Sequence, residues 1–229
     1  MRRELSLPEE GRQDPEKSTT MLAKTLYWTS RLLCVPSQEL YVLPEFAPSL
    51  GLVPGPGAPI VACERSLGSG FSLPELVCLW ARELAYARPE QAALIYFPDA
   101  AELSQLLLAA LAVGGVTSLR AIDGDAKRIA SFLKREVRGP ALGALTEAAS
   151  VFPTREVSVR AAGFIRSAEL VAARVALVAC GDLELLLALD RRFPRGKLTS
   201  PEERRADLLR FTIGREFGQI RAGLGVALG

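Results

Sequence analysis

The segment Arg82-Glu83-Leu84-Ala85-Tyr86 puts one carboxylate, Glu83, between two side chains, Arg82 and Tyr86, that a helix would carry one turn apart on a single face. With histidine at both positions the pattern would be His-Glu-x-x-His, in which two imidazoles hold a metal ion and the glutamate serves as base. The chain contains no histidine at all. A hydrolytic zinc needs about three protein ligands and a bound water whose pKa it lowers, so one carboxylate cannot hold it. The same absence removes the base that a cysteine nucleophile would require.

Other chemically suggestive spacings are weaker. Ser131 and Lys134 have the Ser-x-x-Lys spacing of an activated serine, but they fall in the middle of an expected helix without the accompanying motifs. Gly68 and Gly70 precede a helix start, where an anion could rest, but the third glycine of a dinucleotide fingerprint is missing. Cys34, Cys63, Cys78 and Cys180 have no Cys-x-x-Cys spacing and read as buried free thiols. Arg191, Arg192, Arg195 and Lys197 read as a solvated helix end, where cations complement the dipole.

The elements that must position these residues are marked by caps and breakers. A helix is expected over Met21 to Leu33, then short strands at Leu40–Leu43 and Ile60–Cys63, with the glycine and proline cluster from Gly51 to Pro59 irregular between them. Ser72 with Glu75 forms a capping box for a helix over Leu73 to Ala87, and Phe71 is placed to staple onto Leu76. Asp99 caps the next helix, which the Gly114-Gly115 pair ends. Further helices are expected over Ala126 to Val137, which Gly139-Pro140 ends, then a short one reaching about Val151, one from Thr154 or Arg155 to Cys180, and one over Leu183 to Arg191. A last one starts at the Ser200 cap and runs to about Phe217.

The fold class this predicts is α+β and predominantly helical, with six to eight helices around one core and a small sheet near residues 40–63. Residues 1–20 read as a flexible arm, 21–222 as a single domain and 223–229 as a tail. Apolar residues make up 49% and charged residues 24%, the balance of an ordinary soluble domain. With 28 Lys and Arg against 26 Asp and Glu, composition gives no case for nucleic acid as a partner. The longest apolar runs are too short or too interrupted to span a membrane, and residues 1–20 lack the apolar core of a secretory signal. A reducing cytoplasm is the expected compartment. No repeat of about 34 residues is present, so the domain is not itself a helical array.

From Ile60 to Ala87 the order is apolar strand, glycine-containing turn and capped helix, and the helix approaches the five residues above through Val77-Cys78-Leu79-Trp80-Ala81. This resembles the M48-like branch of the gluzincin metallopeptidases, with element order similar over roughly residues 39–180. The resemblance implies that Arg82 and Tyr86 stand where the family carries its two zinc-binding histidines. It implies a third ligand, a glutamate in a Glu-x-x-x-Asp-Arg context on a later helix. Glu169-Leu170-Val171-Ala172-Ala173-Arg174 is similar, with Ala173 in place of the aspartate. Ligands and the acid that would orient them are lost together.

On that reading Arg82, Glu83, Tyr86, Glu169 and Ala173 are vestigial positions, with no catalytic residue, metal or cofactor. Arg82 is expected to approach Glu169 or Glu83, with the Tyr86 ring in the former metal space. The function implied is a pseudoenzyme acting as a protein-interaction or structural module. Its partners are protein, of the helical-repeat kind with which similar bacterial domains are associated, and the docking edge lies beside the Ile60–Cys63 strand. Two alternatives follow from the same residues: an active hydrolase using Glu83 and Glu169 with a carboxylate-bound metal, or an obligate subunit of a larger complex.

Overall fold

In the computed structural model, which describes residues 7–47, 49–55, 59–117, 122, 124–152 and 156–226, five helices start where a side chain offers a cap. Thr20 accepts from the amide of Ala23 and opens α1 (Met21–Leu32). Four short strands make one mixed sheet: β1 (Arg12–Gln13), β2 (Leu40–Leu43), β3 (Leu50–Val53) and β4 (Ile60–Glu64), in the order β1-β2-β4-β3. β2 runs parallel to β4, with Leu40 opposite Val61, and β3 runs antiparallel to β4, with Leu50 opposite Cys63.

The sheet overturns three expectations. The described part of the N-terminal arm is structured: a 3-10 turn at Glu9–Gly11 leads into β1, which pairs antiparallel with β2 and places Arg12 opposite Tyr41. The open edge of the apolar β2 takes main-chain bonds from any extended neighbour, and Arg12 adds an ion pair to Glu39. Residues 1–6 and 227–229 lie outside the described part. Leu50–Val53 is a strand despite Gly51, because β4 supplies it a partner. β4 is therefore paired on both sides and offers no docking edge.

After the sheet come α2 (Leu67–Gly70), α3 (Leu73–Leu84), a 3-10 turn at Ala85–Ala87, α4 (Ala93–Tyr96) and α5 (Ala100–Val113). Then follow α6 (Gly124–Glu136), α7 (Pro140–Val151), α8 (Val157–Cys180), α9 (Leu183–Arg192), α10 (Pro201–Ile213) and α11 (Arg215–Gly223). The predominantly helical α+β class is what the sequence implies. The eleven helices among the described residues exceed six to eight because α2 and α4 are single turns and Gly214 splits the expected last helix in two. Thr154 and Arg155, the expected start of α8, fall outside the described residues.

Two compact units are present where the sequence suggests one core: residues up to Tyr96 together with those from Arg166 onward, and residues 97–165. In the first, α3 is the central helix. The Glu75 carboxylate accepts from the Ser72 amide at 2.7 Å, fixing its start, and every residue from Leu76 to Leu84 is buried. Each fully buried Leu of this helix contributes roughly 1.5–3 kcal/mol through apolar burial. Trp80 Nε1 donates to Thr25 Oγ1 of α1 at 2.9 Å, so the largest buried side chain also has its polar edge satisfied. Val77 and Ala81 pack on Val175 and Ala179 of α8. The fold thus brings the C-terminal turn of α3, the middle of α8 and the segment after α9 into one unit.

Candidate functional site: a buried ion network

Arg82 and Glu83 sit in the last turn of α3, Tyr86 in the 3-10 turn that follows, and Glu169 and Ala173 one turn apart on α8; all five are buried. Burial alone makes the charges informative, because an unpaired ion in a low-dielectric interior costs several kcal/mol. Each must find a partner, and the partners come from α9 and the segment that follows it.

Glu83 is 1% exposed. Its Oε2 lies 2.9 Å from Nη2 of Arg195 and its Oε1 lies 3.6 Å from Nε of Arg82. Both contacts are ion pairs, and neither is aligned as a directed hydrogen bond. Arg82 continues the chain: its Nη1 donates to the carbonyl of Phe193 at 2.9 Å and lies 3.6 Å from Oδ1 of Asp190. Asp190 also accepts from Nε of Arg204 at 2.9 Å. Arg204 Nη1 donates to the carbonyl of Thr199 at 2.6 Å and to its hydroxyl at 3.0 Å.

Glu169 is engaged differently. Its Oε1 accepts from the Lys197 amide at 2.6 Å, and its Oε2 accepts from the Thr199 amide at 2.8 Å and the Thr199 hydroxyl at 2.7 Å. The Leu198 amide lies 3.2 Å from both oxygens. Three successive main-chain donors and a hydroxyl therefore use the accepting directions of this carboxylate. Gly196 makes the wrap possible. It has φ +98°, and a Cβ there would stand 2.7 Å from the Glu169 carboxyl carbon.

Of the expected contacts, Arg82 does approach Glu83, while Glu169 is bound by the loop between α9 and α10 instead. Tyr86 is buried beside these charges, with the Arg195 guanidinium 5.4 Å from its ring centre. Its phenol pKa is raised, chiefly by burial; Arg195 opposes the shift, and the carboxylates of Glu83 and Glu169 add to it. The network holds three guanidinium groups, Arg82, Arg195 and Arg204, against three carboxylates, Glu83, Asp190 and Glu169. It is neutral as a set.

These residues do not fit a metal ion. A cation next to Glu83 would face Arg82 and Arg195, and the Glu169 oxygens are already taken by four donor groups. No group of three His, Cys, Asp or Glu side chains among the described residues could ligate one.

The sequence reading misplaced Arg195. It is only one-third exposed and pairs with Glu83, because Pro194 and Gly196 turn the chain back over α3 and α8. Arg192 lies 4.4 Å over the Phe71 ring, which itself packs 5.5 Å from Phe193, so this cation covers an aromatic pair. Asp190, Thr199 and Arg204 were also missed; the Pro194-Arg195-Gly196 turn was the available signal. Ser131 donates to its own helix at the Lys127 carbonyl, 2.9 Å away, and is exposed, which leaves no serine and lysine pair. A Cβ on Gly68 would meet Leu22 at 3.1 Å, so that glycine serves packing. Cys63 and Cys78 are buried as expected, whereas Cys34 is exposed and Cys180 half-buried.

Comparison with protein-family models, with curated proteins and with solved structures finds no match for this chain.

Proposed function

We propose that the chain is a non-catalytic protein-interaction or structural module built on a metallopeptidase-like frame, its former metal space filled by its own charges. The observation that carries this reading is the capture of Glu169 by the amides of Lys197, Leu198 and Thr199. An acid held this way has no accepting direction left for a metal or a substrate water. Glu83, the candidate base, is held between the guanidinium groups of Arg82 and Arg195.

The interaction side of the proposal is supported by α10, where Leu209 and Ile213 lie one turn apart and Ile213 is 86% exposed. No helix among the described residues is long and apolar enough to cross a membrane. The proposed setting is the cytoplasm, with a helical-repeat protein as the partner.

Metal analysis of the purified chain tests the catalytic side. The proposal expects no stoichiometric metal. Bound zinc or magnesium that disappears in Glu169→Ala would establish the alternative, a hydrolase with a carboxylate-held ion. For the interaction side, Ile213→Asp should abolish co-purification of a tagged chain with its native partner while leaving the circular dichroism spectrum unchanged. Retained binding would exclude this face.

A further inference from the structure

Where β4 ends, the first unit carries a second group of charged side chains, and unlike the buried network this one opens to solvent. Glu45, Phe46 and Ser49 from the connection between β2 and β3, Glu64 at the end of β4, and Arg192 and Phe193 at the end of α9 line a cavity of about 430 Å³. Small-molecule sites are roughly 300–1,000 Å³. Arg192 shares this cavity with two carboxylates, and among the described residues it forms an ion pair with neither.

Other contacts hold the two signs apart. The Glu64 carboxylate accepts from the Ser49 hydroxyl at 3.1 Å and from the Ser66 hydroxyl at 2.8 Å, neutral donors that orient it and leave about half of its accepting directions open. Arg192 stacks on rings instead, with its guanidinium 4.4 Å from the centre of Phe71 and 5.3 Å from that of Phe193. Glu45 is exposed and has no hydrogen bond or ion pair among the described residues. The backbone on both sides is fixed. Ser49 has φ +71°, which a glycine adopts at less cost, but only a side-chain hydroxyl reaches Glu64. The Phe193 carbonyl accepts from buried Arg82 at 2.9 Å, and Phe46 packs against Tyr41, Leu43, Ile60 and Ala62.

We infer that this cavity is a binding site for a small zwitterion, a free α-amino acid with an apolar side chain: its ammonium group on Glu64 and Glu45, its carboxylate on Arg192, and its side chain against Phe46 and Phe193. A simple cation would use the two acids and meet Arg192; a simple anion would use Arg192 and meet the two acids. Only a ligand with both charges uses all three groups.

The ligand groups match the lining. An ammonium supplies three donors to the open directions of the carboxylates, and a guanidinium takes a carboxylate through two parallel bonds. The two rings offer an apolar side chain a surface away from water. The site adds small-molecule binding to a module otherwise proposed for protein contacts. It uses none of the six charged side chains of the buried network, so the two readings stand or fall separately.

Isothermal titration calorimetry of the full chain tests this, with L-leucine, L-methionine and L-phenylalanine as probes. At least one should bind saturably, one per chain, with a Kd of about a millimolar or below. N-acetylation of that amino acid removes its positive charge and amidation removes its negative charge. Each change should weaken binding about tenfold or more, as the loss of a hydrogen bond to a charged group does. Glu64→Gln and Arg192→Gln should weaken binding of the unmodified amino acid to a similar extent, with an unchanged circular dichroism spectrum. No saturable binding of any of the three probes up to about 10 mM, or binding that keeps its strength after either blocking step, would overturn the inference. The blocked ligands are measured on the natural chain, so a folding defect in a variant cannot obscure the result.

Discussion

The unit that holds α3 and the unit formed by residues 97–165 are joined internally by different means. Around α3, buried side chains of opposite charge link α3, α9 and α10, and Glu169 of α8 binds main-chain amides. In the second unit, α5 packs on α6 through small residues, Ala109, Ala112, Ala126 and Ala130. Its ion pairs among the described residues, Asp125 with Arg128 and Arg135 with Glu136, are exposed. Small side chains let helices approach closely and need no polar partner. Buried ions demand partners and seldom stabilise more than an apolar replacement would. Retaining so many charges in one region therefore needs an explanation beyond stability, and the proposed function offers one: a polar pocket that its own charges have neutralised.

The comparison breaks most visibly if charge does not matter in the first unit. Glu83→Ala removes the acid between Arg82 and Arg195 and leaves two buried cations facing each other, so it should cost about 3–5 kcal/mol in urea denaturation. A loss below about 1 kcal/mol would mean that the network is slack. Glu169→Ala comes next, because it leaves the amides of residues 197–199 without their acceptor. A loss of about 3 kcal/mol is expected, with faster hydrogen exchange at those amides and little change in α5.

The second unit should respond to volume. A Cβ on Gly114 would stand 2.5 Å from the Cβ of Ala149, and both atoms are fixed to backbone, so Gly114→Ala must push α5 and α7 apart. A loss of about 1–3 kcal/mol is expected from overpacking. The smallest expected effect is alkaline. Because burial raises the Tyr86 pKa in the folded state, the unfolded chain loses that proton first and stability falls as pH rises past the ordinary tyrosine value of 10.0. Tyr86→Phe should flatten the fall between about pH 9 and 11, and an unchanged slope would show that Tyr86 ionises freely.

How much of this was legible in the sequence depends on how far apart the partners lie. Caps at Ser72, Asp99 and Ser200 could be read because donor and acceptor are three residues apart, and each starts a helix where expected. β3 could not be read, because Leu50-Gly51-Leu52-Val53 becomes a strand only when β4 lies beside it. Arg82 and Glu83 could be marked as chemically unusual. Their partners could not be found, since Arg82 bonds to a carbonyl 111 residues away and no local pattern encodes that contact. Arg195 was misread for the same reason: from sequence, a cation after a helix end looks solvated, and only the turn at Gly196 brings it onto Glu83.

The claim that the network occupies the place of a metal is tested most directly by thermal unfolding of the purified chain with zinc or magnesium added. A ligand that binds the folded state raises the midpoint in proportion to the logarithm of its concentration above Kd. The account predicts an unchanged midpoint for the natural chain and for Glu169→Ala alike. A concentration-dependent rise in the natural chain that is absent in Glu169→Ala would contradict it.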